Sequence, residues 1–243
     1  METCNEWLEF EGRKAPVYYL CGFIPGSVGE DELSPKILSF KAGSFQAKQF
    51  WLNHMLNKCR ELLIKDESDL FCRALSSDEL TINVSNDYKT PLGYLCTRSA
   101  KLLRARYASG MLHKISMTPT LKGLSKHDRW ELVKDNYRVS ERFVRRKFMQ
   151  FWFVDDVITT GATARAAWKA LLEYYPDIDF RVLALARTVH DQAYNETSTL
   201  IADYKEMLQQ DLLVYESEEQ YCSQPPRSGL AIPEFSNEGT FFV

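Results

Sequence analysis

An α/β fold, a parallel sheet flanked by helices, is what this sequence predicts, and three segments carry the prediction. Phe151-Trp152-Phe153-Val154 is an apolar run without polar alternation, the pattern of a strand buried on both faces. Ala162 to Leu172 follows after a short turn; it is rich in helix formers, sets Ala166, Ala170 and the Leu171-Leu172 pair toward one face, and has Pro176 just past its end. Phe180 to Val189 is a second apolar run. Strand, helix and strand therefore come in the order of a parallel crossover unit, whose ligands sit beyond the carboxyl ends of the strands.

The other elements follow from local pattern. Met1 to Arg13 mixes acids with Trp7, Leu8 and Phe10 and reads as a loosely attached lead-in. Val17 to Ile24 is dense in β-favouring residues and stops at the turn signal Pro25-Gly26, with Lys36 to Phe40 as its hairpin partner. From Ser44 the period changes: Phe45, Leu52, Met55, Leu56 and Cys59 lie on a helical face that Ser44 caps and that ends near Lys65. Asp69 to Leu75 reads as a strand running into Ser76-Ser77-Asp78-Glu79. Leu92 to Tyr107 reads as a helix with a basic face of Arg98, Lys101, Arg104 and Arg106. Thr118 to Val139 lacks strand character, holds a helical piece from Ser125 to Asp135, and is long enough for a lid. From Asp203 the chain turns polar and acidic before Phe241-Phe242-Val243. The expected organisation is a hairpin-and-helix segment over 1–66, an α/β core over 67–200 with a lid at about 108–140, and a C-terminal extension over 201–243.

Composition narrows the function. The chain has 243 residues, 45% hydrophobic and 13% aromatic, enough for one main domain with additions. A net charge of -3 argues against a protein whose business is non-specific nucleic-acid binding. The six cysteines, at positions 4, 21, 59, 72, 96 and 222, form no Cys-x-x-Cys pair and read as small core residues of a reducing compartment. His54, His113, His127 and His190 share no ligand spacing. Glu2, Glu6 and Glu9 stand where a leader would be basic, and no apolar run nears the ~18 residues of a membrane span, so a cytoplasmic protein without a membrane partner is expected.

Chemistry concentrates between the first strand and helix. Asp155 and Asp156 close the apolar run, and Thr159-Thr160-Gly161-Ala162-Thr163 leads into the helix. A turn of this kind brings the unpaired N–H groups of a helix N-terminus and several hydroxyls to one point, which favours a phosphate monoester. Carboxylates just before it suit the adjacent hydroxyls of a sugar. The alternative is a strand–helix unit in which Asp156 and the threonines merely cap the helix. A Walker-type loop is excluded, since no Gly-Lys-Ser/Thr follows.

The run Val154-Asp155-Asp156-Val157-Ile158-Thr159-Thr160-Gly161-Ala162-Thr163 resembles the phosphoribosyl diphosphate (PRPP) signature of type I phosphoribosyltransferases. Beyond it, Ile37 to Lys41 and the segment Thr118-Pro119 through Arg129 to Tyr137-Arg138-Val139 are similar to the ComF (competence protein) group of that family. The resemblance implies a parallel sheet with a small N-terminal hood, PRPP as donor and Mg2+ as the metal. The reaction it implies transfers phosphoribose to an unidentified base or amine and releases diphosphate. Asp155 and Asp156 would hold the ribose, and Thr159, Thr160, Gly161, Ala162 and Thr163 its 5′-phosphate. Arg129 would act with the acidic pair in catalysis, while Arg73, Ser76, Ser77 and Lys126 would meet the diphosphate. No protein ligand of the metal is assigned.

Four departures from the group bear on catalysis. Leu121 stands for Gln, Leu132 for Asn, Ala74-Leu75-Ser76-Ser77 lacks the proline of the diphosphate loop, and Pro91-Leu92-Gly93-Tyr94 keeps only a glycine and an aromatic of the next motif. The group's cysteine-bound zinc module is missing as well. A non-catalytic PRPP or nucleotide sensor within a multi-protein complex is therefore the second reading, with the C-terminal extension as a surface for a protein partner or a homodimer. A nucleic-acid module is the third, carried only by Arg142, Arg145, Arg146 and Lys147.

Overall fold

A computed structural model describes residues 4–26, 33–64, 67–119, 123–144 and 150–189. The expected extension, 201–243, and Arg145 to Lys147 of the basic cluster lie outside these residues. Strands β1 (Glu6–Phe10) and β2 (Arg13–Phe23) are joined by Glu11-Gly12, both at positive φ, the geometry that lets two antiparallel strands twist together. Helices α1 (Leu33–Lys41) and α2 (Phe45–Glu61) follow, the second capped by the Ser44 hydroxyl on the Ala47 N–H. Strand β3 (Asp69–Arg73), helix α3 (Pro91–Leu103), and the short strands β4 (Arg106–Tyr107) and β5 (Leu112–Lys114) precede α4 (Lys126–Val133) and β6 (Tyr137–Val139). Strand β7 (Gln150–Ile158), helix α5 (Ala162–Leu172) and strand β8 (Asp179–Thr188) close the described fold.

The main sheet runs β1-β2-β8-β7-β3-β4, parallel throughout except for β1, while β5 and β6 form a separate antiparallel ribbon. The chain is thus an α/β protein with a mostly parallel six-stranded sheet flanked by helices. Phe151 and Phe153 of β7 join Phe180, Val182 and the alanine face of α5, where Trp168 stacks on Phe180 at 5.2 Å. Trp152, between them in sequence, points to the opposite layer and meets Tyr18. Burying each of these rings contributes about 1.5–3 kcal/mol. Cys21, Cys59, Cys72 and Cys96 are buried in this core, as small apolar residues would be. Among the described residues no helix is long and apolar enough to cross a membrane.

Two expectations are corrected here. The lead-in is strand β1, whose Leu8 joins the core. Lys36 to Phe40 is not a hairpin partner but part of α1, because Leu33, Ile37 and Phe40 are buried at helical spacing; the antiparallel partner of β2 is β1, at one edge of the sheet. Within the segment expected as a lid, Met111, Leu112, Val133, Tyr137 and Val139 belong to the core.

Candidate functional site

The loop between β7 and α5 is organised by Gly161. Its φ of +70° is left-handed, which strains any L side chain, and a Cβ there would stand 2.6 Å from Leu8 Cδ1, so that the leucine would have to shift as well. Gly161 caps α5 without a side-chain acceptor, which leaves the first amides of the helix without an internal carboxylate or hydroxyl partner. Arg187 braces the loop from β8. Its guanidinium donates to the carbonyls of Ile158 and Thr159 and pairs with Glu6 at 3.0 Å, and Thr159 shares a hydroxyl contact of 2.9 Å with Thr188. Arg165 donates to the Thr160 carbonyl from within α5. The loop carbonyls and the Thr159 hydroxyl are therefore engaged within the protein, while the first amides of α5 have no side-chain partner.

Forward lies a cavity of about 630 Å³, within the range of small-molecule sites. Thr159, Thr160, Gly161, Ala162 and Thr163 line it, together with Asp155, Arg129 and Lys41. Asp155 accepts the Asp156 N–H at 2.9 Å. Burial, and then the adjacent Asp156 carboxylate, push the Asp155 carboxyl up to about 7 against the pull of Lys41 and Lys114. Asp156 does not line the cavity; it pairs with Lys41 at 3.1 Å on the α1 side. Alternation along the strand separates the two carboxylates in this way. Arg129, from the first turns of α4, donates to the Leu124 carbonyl at 3.0 Å and lines the cavity.

The residues expected at a diphosphate are arranged differently. Arg73 is buried at the end of β3; it donates to Asp87 at 2.8 Å, to the Ala74 carbonyl at 2.8 Å, and to both oxygens of Glu79 at 2.7 and 2.8 Å. The donors expected to meet a bound anion are thus largely engaged by acceptors within the protein. Glu79 also accepts from the Ser76 amide at 2.8 Å and the Ser76 hydroxyl at 3.0 Å. Burial would raise the Glu79 carboxyl, but the Arg73 and Ser76 donors outweigh it and hold it down at about 2. Ser77 lines a second cavity, of about 300 Å³, which shares Thr163 with the first. Lys126 is exposed and lines neither cavity.

Two residues of the second cavity escaped sequence reasoning. Lys114, buried, directs its ammonium at the carbonyls of Leu75 (3.1 Å) and Ser76 (2.6 Å). Tyr137 is 2% exposed; its hydroxyl lies by the Leu75 amide without meeting hydrogen-bond geometry. A charged residue closing the short strand β5 was the available signal for Lys114. Arg187-Thr188, polar at the end of an apolar strand, was the signal for the brace.

Among the described residues no group of three or more His, Cys, Asp or Glu is arranged to hold a metal. Asp155 is the carboxylate that lines the first cavity. A scan against protein-family models finds no match for the chain, and a search of curated proteins finds none.

Proposed function

We propose that the first cavity binds a phosphorylated ribose in the manner of type I phosphoribosyltransferases, most like the ComF group. One observation carries the reading: the uncapped N-terminus of α5, the Thr159–Thr163 loop and the Asp155 carboxylate all open on one cavity. The α5 amides and Thr163 hold the 5′-phosphate; Asp155 accepts a ribose hydroxyl, and Asp156 fixes Lys41 beside it. Arg129 supplies positive charge over the bound sugar. With PRPP as donor, the C1–O bond to diphosphate breaks and a bond from C1 to a nitrogen of the acceptor forms. Mg2+ supplies neutralisation of the departing oxygens when bound. The protein's share is orientation and exclusion of water.

Calorimetry with PRPP and Mg2+, followed by a diphosphate-release assay over a panel of bases and amines, tests the proposal. Saturable binding, and turnover lost in the Asp155→Asn/Asp156→Asn variant, are the expected results; an absence of binding would remove it. The second reading, a non-catalytic PRPP or nucleotide sensor, is favoured by the internal use of Arg73 and Ser76 and predicts thermal stabilisation by ligand without chemistry.

A further inference from the structure

Strand β1 is an edge strand, separated from β7 by β2 and β8, yet Glu6, Leu8 and Phe10 all reach the frame of the first cavity without lining it. Side chains alternate between the two faces of a strand, so these three share one face, while Trp7, 57% exposed, and Glu9 take the other. Glu6 pairs with Arg187 at 3.0 Å, and the same guanidinium donates to the carbonyls of Ile158 and Thr159. Leu8 lies against Gly161, the cap of α5. The Phe10 ring meets Trp130 of α4 edge-on, with centroids 5.7 Å apart, and Trp168 of α5 at 6.1 Å. Trp130 is the chain neighbour of Arg129, and its ring also lies 5.8 Å from the Arg165 guanidinium that donates to the Thr160 carbonyl.

Two routes thus lead from β1 to the cavity. Through Arg187, Glu6 fixes where the Ile158 and Thr159 carbonyls stand, and with them the turn that aims the α5 amides. Burial alone does not call for a carboxylate at position 6; pairing with the cation that holds the loop does. Through Trp130, Phe10 holds α4, a helix of eight residues in which Val133 alone is buried. We propose that Glu6 and Phe10 are positioning residues of the first cavity, Glu6 acting through Arg187 on the Thr159–Thr163 loop and Phe10 acting through Trp130 on the placement of Arg129. This rests on the reading of that cavity as a phosphoribose site. Ligand geometry there depends on groups whose own places are set by neighbours that never touch the ligand.

The test is calorimetry of the full chain with ribose 5-phosphate and Mg2+ on the wild type, Glu6→Gln, Phe10→Leu and Trp7→Ala, with Glu6→Gln repeated in an Arg187→Met background and Phe10→Leu in an Arg129→Met background. Glu6→Gln is expected to weaken binding about two- to fivefold and Phe10→Leu about two- to tenfold, while Trp7→Ala, on the other face of β1, leaves it unchanged. Glu6→Gln should add nothing to Arg187→Met, and Phe10→Leu nothing to Arg129→Met, because a positioning residue has no effect once the group it positions is gone. A general loosening of the fold would instead weaken binding in every background. The Phe10 and Arg129 cycle decides the matter should Arg187→Met fail to fold. Wild-type binding indifferent to Glu6→Gln and Phe10→Leu, or losses that persist in the two backgrounds, would overturn the inference and leave the phosphoribose site standing. If the wild type does not bind ribose 5-phosphate, the phosphoribose reading falls and this inference with it.

Discussion

The loop after β7 and the loop after β3 leave neighbouring parallel strands at the same edge of the sheet, yet they handle negative charge in opposite ways. After β7, arginines from β8 and α5 hold the backbone carbonyls back, and the amides of α5 face a cavity. After β3, Arg73 and the Ser76 donors converge on Glu79, an acid three residues further along the same loop. One loop lines an open cavity with its amides and the other meets a carboxylate of its own. The position of a loop at the carboxyl end of a parallel strand thus sets where a ligand can lie, while side chains a few residues on decide whether the place is open.

Breaking the closed loop has the largest expected effect. Glu79→Ala leaves Arg73, 2% exposed, with only Asp87 as a carboxylate partner, and should cost about 3 kcal/mol in urea unfolding; a loss under about 1 kcal/mol would mean that the clamp is ornamental. Gly161→Ala acts on the open loop. It forces a methyl against Leu8 at positive φ and should cost about 2 kcal/mol while abolishing ribose 5-phosphate binding by calorimetry.

Titration should separate the two loops by sign. The folded-state carboxyl of Asp155 is raised to about 7, so its contribution to stability is full below the unfolded value of about 3.9 and is lost as pH rises through about 7. Glu79 is lowered to about 2, so its contribution is present above the unfolded value of about 4.3 and is lost as pH falls through about 2. Chemical unfolding across pH should show Asp155→Asn flattening the decline on the neutral side and Glu79→Gln the decline on the acid side. Flattening on the same side by both would dissolve the contrast. The smallest effect belongs to the Lys41–Asp156 pair, which is 42% and 25% exposed: a double-mutant cycle of Lys41→Met and Asp156→Asn should yield a coupling below about 1 kcal/mol.

The open loop was legible in the sequence because its parts are contiguous. Phe151 through Thr163 carries an apolar strand, its acids, the turn glycine and the helix start within one short run, and α5 spans Ala162–Leu172 as the pattern predicts. The closed loop was not. Arg73 and Ser76 were read as anion-binding because their type allowed it, and nothing in local spacing told that Glu79 and Asp87 would fold back on the guanidinium. Strand β1 was missed for a similar reason: Leu8 is its buried apolar contact, and Glu11-Gly12 is a turn that lacks the usual Asn or Asp before glycine. Helix α1 was misread because a window opening at Lys36 omits Leu33, the residue that reveals the helical period.

The central claim, that the open loop and not the closed one receives the phosphate, is tested most directly by amide chemical-shift perturbation with ribose 5-phosphate on isotopically labelled protein. The account predicts saturable shifts that are largest at Gly161, Ala162, Thr163 and Ala164, with Ser76 to Glu79 unmoved. Shifts largest at Ser76 to Glu79, or none that saturate at the start of α5, would contradict it.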